Sequence, residues 1–379
     1  MKRIICLITV ISLCFGSIMV FSKDLKDIES KSAILVEQSS GTVLFEKNAD
    51  QKCAIASVTK VMTALLLMEE IDKGNIKYDD LITTSENAES MGGSQVYLEV
   101  GEQMSVDDML KGLMIASGND VAVAIGEHIS GDLDSFIKLM NKRAKELGMN
   151  NTNFVNPNGL PDDNHYSTAR DVAIMSRVLL ENHPDIKKYT TIWMDSLRGG
   201  EFQLANTNKL IATYKYATGL KTGFTTEAGH CLSASAEKDK MALVSVILGG
   251  PSSELRFSEA RLMLDYGFDN FTVKEKIKKD DLICSVDIIK GKKDSVNGVA
   301  KNDYVIMDNK QEKGEITKEI EIIPDIKAPV KKGQKLGVLK IKKGDSVMYE
   351  LEVVAEEDVK HRNIFDVIKL YFLKWMGLK

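Results

Sequence analysis

Strand patterns stand at both ends of a long helical stretch, and that order restricts the folds open to the chain. Residues 33–38, Ala-Ile-Leu-Val-Glu-Gln, form a β-type run, Ser39-Ser40-Gly41 a turn, and residues 42–46 the returning strand. From Ser57 the apolar residues change to helical spacing, at Val58, Val61, Met62, Leu65 and Leu66, and the helix is expected to run from Ser57 through Met68. Four further helical pieces are expected over 107–115, 120–128, 133–147 and 168–180, with an Asn-, Pro- and Gly-rich loop over 150–163. Strand character returns at 221–225, 230–237 and 242–248, and a helix follows over 253–265. A simple sandwich has no place for so large a helical insert. One mixed antiparallel sheet, built from both ends of the segment with helices packed around it, accommodates the order.

The chain of 379 residues has room for two domains, and 44% hydrophobic with 28% charged residues is an ordinary globular balance. A net charge of −5 gives no support for nucleic-acid binding. Met1-Lys2-Arg3 is followed by an apolar run to Phe21, and Val20-Phe21-Ser22 suits a cleavage site, so residues 1–22 read as a secretory signal peptide. Left uncleaved, roughly 18 apolar residues would also reach across a bilayer. Cys14 lacks the small residue just before it that a lipoprotein site needs. The three cysteines beyond the signal, Cys53, Cys231 and Cys284, are too widely spaced for a disulfide framework or a zinc pattern and read as small buried hydrophobes.

These features divide the chain into a signal at 1–22, a main domain at 23–271, a small all-β domain at 272–357 and a terminal helix at 358–379. The third part has short β-type runs at 282–289, 319–323 and 347–354, much Lys and Gly, and no catalytic constellation; a spacer or assembly role fits it. In the fourth, Ile364, Ile368, Tyr371, Phe372 and Trp375 fall at helical spacing among Asp366, Lys369, Lys374 and Lys379, after His361 and Arg362. An amphipathic helix lying in a membrane interface fits this pattern, and so does a helix docked on the protein's own surface.

Three short strings carry the chemistry. In Ser57-Val58-Thr59-Lys60, Ser57 and Lys60 share one helix face, so a lysine amine can take the hydroxyl proton if burial or nearby positive charge depresses its pKa. The spacing recurs at Ser135/Lys138 and Ser235/Lys238, but only Ser57 follows a small, uncharged approach, Cys53-Ala54-Ile55-Ala56. Ser117-Gly118-Asn119 lies between two apolar helical segments, where polar side chains need partners. Its spacing recurs at Ser85/Asn87 and Ser295/Asn297. One reading makes the string a loop in which Asn119 or Asp120 caps the next helix. The other has Ser117 relay a proton toward a leaving amine while Asn119 holds Lys60 and a substrate carbonyl; the two are compatible. Lys221-Thr222-Gly223 occurs once. On an edge strand it would align an extended substrate, with Gly223 permitting close approach, Lys221 supplying charge, and Thr222 and Thr225 supplying hydroxyls for a carboxylate. The backbone N–H groups of Ser57 and Phe224 would form an oxyanion hole.

The three strings in this order are the signature of penicillin-binding proteins and serine β-lactamases. The stretches 56–63, 116–120 and 219–225, with the loop Asn153-Phe-Val-Asn-Pro-Asn-Gly-Leu160, resemble the D-alanyl-D-alanine carboxypeptidases of peptidase family S11, and especially members from sporulating Gram-positive bacteria. The resemblance covers nearly the whole chain. It implies an α/β (α+β) serine β-lactamase/penicillin-binding-protein-like transpeptidase fold: a mixed antiparallel sheet, a helical subdomain and a small C-terminal all-β domain. It also implies an exported enzyme held at the outer face of the cell membrane by an amphipathic C-terminal helix. Ser57 would be acylated and Lys60 the general base, with Ser117, Asn119 and Lys221 completing the site. Arg256, or nearby Arg261, would help bind the terminal carboxylate. The expected substrate is a peptidoglycan stem ending in D-Ala-D-Ala, penicillins would acylate Ser57, and no cofactor or metal is needed. Some relatives have histidine where this chain has Phe224. A β-lactamase would share the first step and often add a deacylating glutamate; Glu99 and Glu227 are the residues to consider. A transpeptidase, or a penicillin sensor or wall-binding protein without turnover, would carry the same strings. No His-Glu-x-x-His string points to a metallopeptidase.

Overall fold

Two strands from the start of the chain meet three from beyond the helical stretch in one sheet. These are β1 (Ser32–Glu37), β2 (Val43–Lys47), β3 (Ala217–Thr225), β4 (Gly229–Lys238) and β5 (Met241–Gly250). Their order is β2-β1-β5-β4-β3, and every neighbouring pair is antiparallel. The structure is a computed structural model that describes residues 25–363 and, of the closing stretch, residues 366, 368, 375 and 376. The signal segment 1–22, and Ile364, Tyr371 and Phe372 of the expected terminal helix, lie outside the described residues.

The two central strands are apolar almost throughout because helices cover both faces. Ile34 and Val36 of β1, with Val244, Val246 and Leu248 of β5, face a core shared with helices α1 (Lys60–Asp72) and α4 (Ala169–Asn182). Ala33, Leu35, Leu243 and Ile247 face the opposite core, shared with α5 (Ser253–Asn270). Each fully buried Leu, Ile or Val contributes about 1.5–3 kcal/mol. A slip of one residue would exchange the two faces, so this burial fixes the register. It also leaves β3, with Lys221-Thr222-Gly223, at the sheet edge, where an extended substrate can pair with it.

The helical insert is anchored by α1, whose residues 60–68 are all buried. Helices α2 (Asn119–Ser130) and α3 (Leu133–Glu146) pack beside it. Asp132 caps α3, Thr168 caps α4 and Ser252 caps α5, each accepting a backbone N–H from three residues on.

Three local expectations are corrected. Ser57 does not open an α-helix; it lies in a 3-10 turn, Ala56–Thr59, and the α-helix begins at Lys60. The helix expected over 107–115 is an α-helix only over Val106–Lys111, then widens to a π-turn over Gly112–Ala116. Neither Asn119 nor Asp120 caps α2; Gly118 occupies that position without a side-chain bond, because both side chains are committed elsewhere. A hairpin that the sequence pattern does not announce, Met194–Leu197 with Phe202–Ala205, stands near the Ser117 loop through the bond from Thr207 N–H to the Ile115 carbonyl.

After α5 the chain enters β6 (Phe271–Ile277) directly, and β-structure continues through β7 (Leu282–Asp287), β8 (Ser295–Ala300), β9 (Tyr304–Asn309), β10 (Ile316–Ile322), β11 (Lys335–Lys343) and β12 (Ser346–Ala355). Strand β6 pairs with β9, and the rest form a sheet in the order β7-β8-β12-β11-β10. Small apolar clusters, including Leu336 with Val286 and Ile341 with Val353, supply its core. Much of its lysine content lies on exposed strand faces opposite glutamate, as in Lys340–Glu321. No helix among the described residues is long and apolar enough to cross a membrane.

Candidate active site

Lys60 sits at the first turn of the most buried helix, so its four-carbon stem points into the interior and no part of it reaches solvent. Its Nζ donates to Asn119 Oδ1 at 2.6 Å and to the Asn158 carbonyl at 2.8 Å, and stands 2.9 Å from Ser57 Oγ. Burial, then the positive charge of Lys221, pushes its pKa well below the usual lysine range, against the opposing pull of Asp120. A neutral amine in this position spends two N–H bonds on the two carbonyl-type oxygens. Its lone pair is left for the Ser57 hydroxyl, the arrangement a serine nucleophile needs.

Ser57 itself is half-buried on the 3-10 turn, and two glycines let the backbone around it close up. A Cβ at Gly223 would lie 2.7 Å from the Ile55 carbonyl oxygen and 3.0 Å from Ser57 N. At Gly159, where φ is +85°, a Cβ would lie 1.9 Å from the Ala56 carbonyl oxygen. The edge strand and the 153–160 loop thus press on the nucleophile from two sides. The amides of Ser57 and Phe224 border the same gap.

The Ser117 loop is held by strain and by two buried side chains. Ser117 follows the π-turn with φ +67° and ψ +33°, a left-handed conformation uncommon outside glycine. Asn119 accepts from Lys60 and uses Nδ2 to donate to the Gly92 carbonyl at 2.6 Å, leaving its second Nδ2 hydrogen for a substrate carbonyl. Asp120 accepts the N–H groups of Val96 and Leu98 and so straps the 92–98 loop over the start of α2.

On β3, Lys221 is buried, and desolvation together with the Arg256 charge pushes its pKa down to about 7. It donates to the Thr222 carbonyl at 3.1 Å. Thr222 donates to the Thr207 hydroxyl, and Thr225 Oγ1 accepts from the Ala228 N–H. Arg256 reaches from α5 to donate to the Gly223 carbonyl at 2.9 Å and to the Cys231 carbonyl at 3.3 Å. The other candidate arginine, Arg261, instead donates to the Thr213 carbonyl and lies over Tyr214. Phe224 is 58% exposed and stacks on His230 of β4. Glu227 lines a cleft with Thr225, whereas Glu99 is exposed on the strapped loop.

Asn158, Gly159, Asp120 and Gly92 join the site without having been expected there. Asn158 and Gly92 act through backbone carbonyls, which no residue type announces; the Asn-Pro-Asn-Gly string at 156–159 was the one available signal. The three free cysteines lie at Cys53, Cys231 and Cys284, of which Cys231 is buried. Among the described residues no group of three or more His, Cys, Asp or Glu side chains could hold a metal ion.

A serine beside a buried lysine, on a sheet-and-helix fold with Ser-Gly-Asn and Lys-Thr-Gly around it, defines a penicillin-binding-type serine acyl-transfer enzyme. The family profile for D-alanyl-D-alanine carboxypeptidase, peptidase S11, matches residues 19–252, and that for the penicillin-binding protein 5 C-terminal domain matches 271–361. The chain belongs to the S11 D-alanyl-D-alanine carboxypeptidase family. It is 43% identical over 355 residues to the D-alanyl-D-alanine carboxypeptidase DacF of Bacillus subtilis (strain 168), covering 93% of this chain and 91% of that one. Penicillin-binding protein 5 from Haemophilus influenzae superposes with a TM-score of 0.83 at 32% identity, over 88% of this chain and 98% of its own. Penicillin-binding protein D2 from Listeria monocytogenes, in its ampicillin-bound form, gives 0.58 at 31% identity, over 63% and 97%. The chain is an enzyme of the serine D-Ala-D-Ala carboxypeptidase class that acts on peptidoglycan.

Lys221→Met removes a charge that lowers the Lys60 pKa. A base with a raised pKa holds its proton to higher pH, so the acid limb of the penicillin-acylation profile should move upward in pH. Stopped-flow acylation rates across pH check this; an unmoved limb with a lower plateau would show that Lys221 acts on the ligand alone.

Proposed function

We propose that Ser57 carries the acyl group and that Lys60 is the base for both steps of D-alanine release. The observation that supports this most is the 2.9 Å approach of a fully buried, pKa-depressed amine to the Ser57 hydroxyl. A stem peptide lies along the open edge of β3 with its terminal carboxylate toward Lys221, Thr222 and Thr225. Lys60 takes the Ser57 proton as Oγ attacks the carbonyl of the penultimate D-alanine. The N–H groups of Ser57 and Phe224 receive the oxyanion. The proton returns through Lys60 and Ser117 to the leaving amine, the C–N bond breaks, and D-alanine departs. Water, deprotonated by Lys60, then cleaves the ester and restores Ser57. Asn119 holds Lys60 and the substrate carbonyl. Arg256, bound to the Gly223 carbonyl, sets the strand and adds positive charge behind the carboxylate. A β-lactam undergoes the same attack, but its leaving nitrogen stays tethered to the acyl group. Side-chain tuning by the Phe224–His230 stack takes the place of a histidine at that position.

The division into 1–22, 23–271, 272–357 and 358–379 is supported by the direct passage from α5 at Asn270 into β6 at Phe271 and by the separate profiles matched on either side. Export by the N-terminal signal and attachment to the outer membrane face by the terminal segment are supported by family membership and by the sequence of the tail.

Ser57→Ala should lower D-alanine release by at least about 10³-fold and abolish the penicillin adduct seen by intact-mass analysis. An adduct that persists in the variant would sink the assignment. For the tail, deletion of residues 364–379 should free the enzyme from membrane fractions while turnover of a soluble peptide is retained. Unchanged membrane association would refute the anchor.

A further inference from the structure

A cleft of about 630 Å³ opens beside the nucleophile, away from Ser117 and Lys221. Its floor includes Ile55 and Ala56, the two residues before Ser57, together with Gly159, which is packed against the Ala56 carbonyl. Thr225, two residues past Gly223 on β3, forms one wall. This inference rests on the roles proposed above: if the leaving D-alanine lies toward Lys221 and Ser117, then β3 carries the acyl-donor part of the peptide toward Thr225. The residue before the penultimate D-alanine is about 3.3 Å further along an extended chain. Its side chain therefore has this cleft to enter.

The chemistry at the mouth is uneven. Asp162 and Asp163 stand on the loop after Leu160, and Glu227 stands just beyond β3; all three are exposed and line the same cleft. The one lysine there, Lys52, has its ammonium over the Tyr166 ring at 4.4 Å. The cleft is long enough for a flexible aliphatic stem, with apolar walls at Ile55, Leu160 and Pro161 and carboxylates at the rim.

We propose that this cleft is the subsite for the diamino residue of the stem peptide, with Asp162, Asp163 and Glu227 selecting a side chain that ends in a free primary ammonium. The carboxylates contact the ligand in solvent, so each pair is worth little alone and together they give about a three- to tenfold preference that fades with salt. They act on donor binding and not on the attack at the carbonyl, so the preference appears in KM. They also explain how one edge strand can sort stems without any change in the three catalytic strings.

The test compares D-alanine release from Nα-acetyl-Lys-D-Ala-D-Ala and from its Nα,Nε-diacetyl counterpart, using the full chain. The wild-type enzyme should prefer the free amine about three- to tenfold in kcat/KM at low salt. In the combined variant Asp162→Asn, Asp163→Asn, Glu227→Gln that preference should vanish, while release from the diacetyl peptide and the rate of penicillin acylation stay at wild-type values. Equal use of both peptides by the wild type, or a preference that survives in the variant, would overturn the subsite. Release from neither peptide would overturn the catalytic reading and the subsite with it. A Ser57 penicillin adduct in that case would place the failure in peptide turnover and not in the nucleophile.

Discussion

The burial of one lysine amine underlies the rest of the site. Removing Lys60 from water favours its neutral form, and a neutral amine can act as a base where an ammonium cannot. The cost of that burial is offset by bonds to Asn119 Oδ1 and the Asn158 carbonyl, which leave the amine oriented rather than merely dry. The fold makes the burial possible. Helix α1 runs through the main core, its following turns are all apolar, and its first residue is therefore inside. The same helix start presents Ser57 on the preceding 3-10 turn, at the surface of the gap where an extended peptide can reach it.

Close backbone contact is the second constraint. Glycine at 223 and 159 lets β3 and the 153–160 loop meet the nucleophile turn at distances a side chain would forbid. This is how two amides from distant parts of the chain come to border one gap, and fixed donors of this kind contribute more than any other single effect to many acyl transfers. Arg256 joins the two constraints. Its bond to the Gly223 carbonyl fixes the strand, and its charge lowers the Lys221 pKa, while Lys221 in turn lowers that of Lys60. Three cations placed so closely suit a ligand that brings a carboxylate.

Much of this was legible in the sequence because it is local or periodic. The apolar runs of β1 and β5, and the switch to helical spacing after Ser57, pointed to the sheet, its helical insert and the edge position of Lys221. The Ser57/Lys60 pair and Gly223 are where short-range geometry said they should be, with Lys60 against Asn119 as the strings implied. What was not legible depends on the backbone. The Asn158 and Gly92 carbonyls carry no residue-type signature, and the π-turn that throws Ser117 into a left-handed conformation arises from packing rather than propensity. Asn119 and Asp120 have the chemistry of caps, but tertiary partners took both side chains.

Catalysis by this site requires that Lys60 be neutral when Ser57 attacks. Carbon-13 NMR of the enzyme with ε-labelled lysine, assigned by Lys60→Arg, follows the protonation of this one amine directly. Lys60 should titrate well below the exposed lysines, at a pH matching the acid limb of penicillin acylation. A Lys60 signal that titrates with the exposed lysines would contradict its role as base, and would mean that Ser57 loses its proton to another group.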